Sequence, residues 1–327
     1  MITRRKIIIA LGAGALTAPL TCFAQPAAKT PRVGMLYPGP QSAVAPRVEA
    51  FTDGLRAGGY VAPAQIDLVL RVAGGDPSKI APFAEEIVKS NVDVIFAIAA
   101  PATLASRAAT KTIPIVSLDL ETDPVVAGLA TSLGRPGGNV TGMFFDFPDF
   151  TTKWLELLKE IIPKLARVAV IWDPSTGQTQ IQAIEGAARK LKIKLTVIEV
   201  RKPPEFESAF ASAKKQGAQA MIILSAPVFG GNTQKLAELA LREKIPAVTM
   251  FPSFAREGGL LAYGPNLLGI FRQAGVMVAK VLKGAKPAEL AIERPSKYEF
   301  VVNQKTAKAL GLTIPASILV RADEVIE

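Results

Sequence analysis

Hydrophobic positions along this chain come in short runs, and amphipathic stretches separate them. Residues 32–37 (Arg-Val-Gly-Met-Leu-Tyr) have the pattern of a short buried strand, and 48–55 that of a helix ended by Gly58-Gly59. Residues 66–72 alternate as a strand, 80–88 repeat with helical spacing, 92–98 are again a strand, 102–110 a helix and 113–118 a strand. Strands separated by helical segments of about 10–15 residues predict βαβ units and a parallel sheet. Right-handed crossovers then cover both faces of that sheet with helices.

The alternation restarts after Gly142. Trp154, Leu155, Leu158, Ile161 and Ile162 recur at helical spacing, and Pro163 ends that helix. Residues 167–172, 195–200, 220–224 and 246–249 are expected as strands. Helices are expected on the face marked by Ile181, Ile184, Ala188 and Leu191, and at 205–215 and 233–242. Each half thus holds about four strands, and a chain of 327 residues favours two domains. No linker rich in Ser or Pro divides the halves, which fits two lobes joined by close crossover segments. Residues 258–265 are expected as one such crossover. After it, Leu267, Ile270, Phe271, Ala274, Val278 and Val281 form an apolar stripe of core-packing type.

Composition narrows the chemistry. The chain has no histidine and a single cysteine, Cys22. His-based triads and His-ligated metals are therefore excluded, while carboxylate or lysine catalysis stays open. Residues 1–6 are basic, 7–21 are apolar but shorter than the roughly 20 residues needed to span a bilayer, and Cys22-Phe23-Ala24 fits cleavage after Ala24. We read 1–24 as a signal peptide of a periplasmic protein. Lipidation at Cys22 is the less favoured reading, because Pro19-Leu20-Thr21 is a poor lipidation signal. Without Arg4, Arg5 and Lys6 the net charge falls from +10 to +7. The basic residues are interspersed with acidic ones and no basic patch carries aromatics, so no nucleic-acid partner is expected.

Two motifs carry a resemblance. Arg135-Pro-Gly-Gly-Asn-Val-Thr-Gly142 and the end of the chain, beginning Glu299-Phe-Val-Val-Asn-Gln304, are similar to those of the ABC-transporter substrate-binding protein family that includes tryptophan-binding lipoproteins. The resemblance runs from about Pro31 to Glu327. It implies a periplasmic binding protein type I fold: α/β, two Rossmann-like lobes with parallel sheets flanked by helices, joined by crossover hinge segments. Lobe 1 would comprise 25–145 plus about 264–296, and lobe 2 146–263 plus about 297–327. It also implies a non-enzymatic receptor for a small molecule, an aromatic amino acid being the best guess, with no cofactor or metal and with an ABC permease of the inner membrane as partner. An exported sensor protein for a signalling partner, or an exported α/β enzyme, is the alternative.

In such a fold, ligands bind beyond the carboxyl ends of the strands, near helix N-termini. After the first strand, Gly39 and Ser42 offer N–H and hydroxyl donors, or else form a rigid turn. Pro101, Ala102 and Thr103 open a helix whose free amides suit a carboxylate, or else a capped helix facing water. Asp119, Glu121 and Asp123 cluster after the fourth strand without the ligand spacing of a calcium loop. Of these, Asp123 matches the Asp-Pro of the resemblance, with helix capping and ammonium pairing both open. In the second half, Asp173 and Thr176 follow one strand, Ser225 and Phe229 another, and Phe251 and Tyr263 would supply flat walls. Ala226-Pro227 stands where the family often has Asp-Pro, and Pro252-Ser253-Phe254 where it often has Arg-Glu-Phe. Both departures lower the local charge and leave the ligand's identity open.

Overall fold

A computed structural model describes residues 30–327 of the chain, apart from Pro63 and Asp146. The expected leader at 1–24 and Cys22 lie outside the described residues. The first sheet contains β1 (Arg32–Tyr37), β2 (Asp67–Val72), β3 (Val94–Ile98), β4 (Ile115–Asp119) and β5 (Val140–Phe144). Its order is β2-β1-β3-β4-β5, and every pairing is parallel. Helices α1 (Val44–Ala57), α2 (Ile80–Lys89) and α3 (Ala99–Ala109) make the crossovers between its first four strands. β3, β4 and β5 are buried along their whole length, as parallel strands covered on both faces must be.

The second sheet follows α4 (Phe147–Ile161). Along the chain come β6 (Arg167–Trp172), α5 (Thr179–Leu191), β7 (Lys194–Glu199), α6 (Phe206–Lys215), β8 (Ala220–Ile223) and the single turn α7 (Pro227–Gly230). Then follow α8 (Thr233–Arg242), β9 (Ala247–Thr249), α9 (Pro252–Arg256) and β10 (Leu261–Pro265). The long helix α10 (Leu267–Leu282) leaves this lobe. β11 (Tyr298–Asn303), α11 (Gln304–Ala309), α12 (Ala316–Leu319) and β12 (Glu324–Ile326) complete it. The strand order is β12-β11-β10-β9-β8-β6-β7, parallel except where β11 runs against β10.

The observed strands differ from the expected ones in instructive places. β5 falls in a segment for which the hydrophobic pattern predicted no strand. Its run Val-Thr-Gly-Met-Phe is broken at Gly142, which adopts φ +146° and lies so close to Ser117 that an added Cβ would sit 2.0 Å from the Ser117 carbonyl oxygen. Residues 261–265, expected as a crossover, pair as β10 before the chain crosses. β11 and β12 build the antiparallel edge from the tail motif.

The chain passes between the lobes three times. The passages lie after β5, between β10 and α10, and before β11. They brace one another: the Phe144 amide donates to the Glu293 carbonyl at 3.1 Å, and the Asn266 amide to the Lys297 carbonyl at 3.0 Å. After the second passage α10 packs on the first lobe against α1. The helices meet at Gly54 and Gly275, where a Cβ would lie 2.0–2.1 Å from backbone oxygen of the partner helix. That close approach brings Phe271 edge-on to Phe96 at 5.8 Å, with Phe51 stacked on Phe96 at 4.6 Å. Each ring buried this way stabilises the lobe by roughly 1.5–3 kcal/mol. Among the described residues no helix is long and apolar enough to cross a membrane.

Candidate functional site

The carboxyl ends of strands from both sheets converge on one small cavity, of about 50 Å³. From the first lobe come Tyr37 at the end of β1, Ile98 and Ala99 at the end of β3, and Leu118, Leu120 and Glu121 at the end of β4. The second lobe contributes Ser225, Ala226 and Pro227 beyond β8, Gly230, and Phe251 beyond β9. Leu267 and Phe271 reach in from the start of α10, and Arg47 from α1. The walls are mostly apolar, with few polar groups, as in small-molecule sites.

Glu121 is the most consequential of these groups. Only 4% of it is exposed. One carboxylate oxygen accepts the Ala100 N–H at 2.9 Å, and the other shares a 2.7 Å hydrogen bond with the Ser225 hydroxyl. The second bond joins the two lobes across the cleft. Ala99 sits at φ +66°, and this left-handed turn, rare for a residue with a Cβ, aims the Ala100 N–H at Glu121. Ser225 is held in turn by buried Gln180, whose side chain accepts from the Ser225 amide at 2.7 Å and donates to its carbonyl at 2.8 Å.

Asp119, fully buried beside Glu121, accepts from the amides of Glu121 and Thr122 and from the Thr122 hydroxyl. Burial pushes the Glu121 carboxyl up to about 8 and the neighbouring Asp119 charge adds to the push, while hydrogen bonds from Ser225 and Ala100 oppose it. Burial also raises Asp119, against the donors that surround it. Neither carboxyl forms an ion pair with a cation among the described residues. Two carboxyls so placed resist double ionisation, and one stays protonated near neutral pH. Among the described residues no three such groups converge as metal ligands.

Arg47 supplies the opposite sign. It is half-buried, donates to the Ala43 carbonyl at 2.6 Å, and lies over the rings of Tyr37 at 5.4 Å and Phe271 at 5.9 Å. It too has no ion-pair partner among the described residues. Aromatic rings hold a guanidinium in place without neutralising it, so it remains free to meet an anion.

Of the residues expected from the sequence, Ser225 and Phe251 line this cavity. Gly39 is buried in the turn beside the Tyr37 hydroxyl, and Ser42 borders a wider outer depression of about 550 Å³ that shares Arg47, Gly230 and Leu267 with the cavity. Pro101 and Asp173 line a small gap of about 30 Å³ elsewhere between the lobes. Asp173 caps its turn by accepting the Ser175 N–H at 2.9 Å, and Thr176 donates to the Asp173 carbonyl at 2.7 Å. Ala102 and Thr103 are wholly buried, and the Thr103 hydroxyl is committed to the Ala99 carbonyl and Ser117 Oγ. At this helix start the carboxyl that meets a free amide is the protein's own Glu121.

Three more expected residues stand apart from the cavity. Asp123 caps a turn through the Val125 and Val126 amides, in the wall of a separate groove that also includes Phe147 and Arg294. Phe229 is a core ring packed near Phe206. Tyr263 belongs to an aromatic cluster at the crossings, 5.3 Å from Phe150 and 6.4 Å from Tyr298, and its carbonyl accepts the Trp154 indole N–H at 2.7 Å. Glu121 was visible in the sequence only as one of three clustered carboxylates. Tyr37, Arg47, Leu267 and Phe271 gave no local signal of a binding role.

Comparison with known proteins agrees with the two-lobed fold. Residues 39–326 match the family model described as ABC transporter substrate binding protein. The chain is 27% identical over 274 residues to a tyrosine-binding protein of Clostridioides difficile, covering 81% of this chain and 76% of that protein. The crystal structure of a conserved domain protein from Vibrio cholerae superposes with a TM-score of 0.84 at 29% identity, covering 91% of this chain and 100% of that one. An ABC domain from Streptococcus pneumoniae in complex with L-Trp superposes with a TM-score of 0.83 at 26% identity and the same coverage.

Proposed function

Because the chain belongs to the ABC transporter substrate-binding protein family, we propose that it captures a free amino acid, aromatic by preference, in the cleft between its lobes. The observation that carries this reading is the pairing of an unneutralised guanidinium, Arg47, with a buried carboxyl, Glu121, in one otherwise apolar cavity. An amino acid zwitterion presents the complementary charges, and an aromatic side chain suits walls made of Ile98, Leu118, Leu120, Phe251 and Phe271. The names of two relatives, one tyrosine-binding and one solved with L-Trp, support the same ligand class.

A cavity of about 50 Å³ is too small for such a ligand, since small-molecule sites run to about 300 Å³ or more. Capture therefore requires the lobes, 25–145 with about 264–296 and 146–263 with about 297–327, to part and close about the three crossings. Closure gives ligand contacts from both lobes at once and shifts the population toward the closed form. The protein works as a carrier without chemistry of its own, exported to the periplasm by the 1–24 leader, and it delivers its ligand to an ABC permease. A thermal-shift screen of the purified protein against amino acids, aromatic acids, purines and sugars tests the reading. A ligand at a hundredfold excess over Kd should add about 2.7 kcal/mol of stability. Saturable shifts confined to aromatic amino acids are expected. Saturable shifts from sugars or purines alone would overturn the ligand class.

A further inference from the structure

We propose that Glu121 receives the ammonium group of the ligand and releases a proton to solvent as it does so, making capture a proton-for-cation exchange. The inference rests on the amino acid reading above and adds to it a partner atom and a pH dependence. Glu121 is buried, faces the cavity, and has neither a cation nor water-facing surface to balance a negative charge. Asp119 lies beside it at the same strand end, itself raised by burial while two amides and the Thr122 hydroxyl donate to it, so the two carboxyls cannot both ionise without a cation. The elements packed around Glu121 add no other acid. α3 presents Ala99 and Ala100; the segment after β8 presents Ser225, Ala226 and Pro227; the end of β9 presents Phe251. From β1 comes Tyr37, kept neutral by burial, and from α1 comes Arg47.

The setting keeps the unliganded carboxyl neutral up to a pH of about 8. In that form it bridges to Ser225 and joins the lobes without adding a negative charge to the cleft. An arriving ammonium supplies the missing counter-charge. The Glu121 O–H bond breaks, its proton passes to buffer, and the carboxylate pairs with the intact ammonium, so charge and atoms balance. The bound state then holds fewer protons than the free state, and affinity must rise with pH below about 8.

Isothermal titration of the full-length protein with L-tryptophan and L-tyrosine tests this in two buffers of different ionisation enthalpy, from pH 6 to 8. The expected result is release of close to one proton per ligand at pH 7 and about a tenfold gain in affinity per pH unit below 8. Glu121→Gln keeps the shape and can keep the hydrogen bonds to Ser225 and Ala100. It should release no proton, show a flat pH profile and bind at least about a hundredfold more weakly at pH 8. The desamino analogues indole-3-propionate and 3-(4-hydroxyphenyl)propionate should also bind at least about a hundredfold more weakly. Tight amino acid binding with no proton release, or unchanged affinity in Glu121→Gln, would overturn the exchange and leave the receptor reading intact. Desamino analogues that bind as tightly as the amino acids would overturn the ammonium assignment. Failure of both compound classes to bind would overturn this inference and the ligand class together.

Discussion

The two lobes are built on the same plan yet bring different chemistry to the cleft. The first lobe contributes Arg47, Tyr37 and Glu121, with Asp119 behind, while the second contributes Ser225, Ala226, Pro227, Gly230 and Phe251 and no charge at all. The ionisable groups of the first lobe are held in place before any ligand arrives: Arg47 by two rings and the Ala43 carbonyl, Glu121 by the Ala100 amide. On the proposed reading, such preorganised partners meet the two ends of a zwitterion while the cleft is still open. The neutral second lobe would then act as a cover that excludes water and adds apolar contact. Recognition of charge and retention of ligand are, on this reading, divided between halves that share a fold.

The largest effect should follow from removing charge in the first lobe. Arg47→Gln leaves the helix intact and removes the counter-ion for the ligand's carboxylate. Truncating one member of a desolvated charge pair costs about 2–5 kcal/mol, so calorimetry should show a loss of about thirtyfold or more in affinity. A change below threefold would place the carboxylate elsewhere.

A smaller, opposite effect is expected on stability. The folded-state value of Glu121 lies near 8, above its ordinary 4.5, so the folded protein binds more protons than the unfolded one between those values. The stability this group contributes is fully present below about 4.5 and is lost as pH rises through about 8. Asp119, shifted in the same direction, adds to the trend. Glu121→Gln removes the titrating group. The unliganded variant should therefore melt several degrees above wild type at pH 8.5 and close to it at pH 5, in a scan of Tm against pH. A variant less stable at pH 8.5 would mean that Glu121 is ionised and satisfied in the free protein.

The division between the lobes also explains what could be read from the sequence. Strands β1, β3, β4, β6 and β8 announced themselves as mostly apolar runs between helical stretches, because parallel strands buried on both faces leave little room for polar residues. β5 did not, since Gly142 interrupts its run for the sake of close backbone packing on Ser117. Ser225 and Phe251 were found because they directly follow strands, where a loop rule applies. Thr103 satisfied the same rule and turned into the core, where its hydroxyl bonds Ser117; the direction a helix start faces depends on its packing and not on its composition. Asp123 and Glu121 are two residues apart and chemically alike, yet one caps a surface turn and the other lies in the cleft. Arg47 and Phe271 reach the cavity from helices whose contact, across Gly54 and Gly275, joins segments more than two hundred residues apart in sequence. No local pattern carries that information.

The division of labour itself is most directly tested by stopped-flow kinetics of aromatic amino acid binding to Phe251→Ala. The ring belongs to the covering lobe, and its loss should weaken affinity by about tenfold, corresponding to about 1.4 kcal/mol of apolar contact. If the first lobe captures and the second retains, the whole loss appears as faster dissociation, with the association rate unchanged within a factor of two. A loss carried instead by slower association, with dissociation untouched, would contradict the account by showing that the ligand must engage the second lobe to be captured at all.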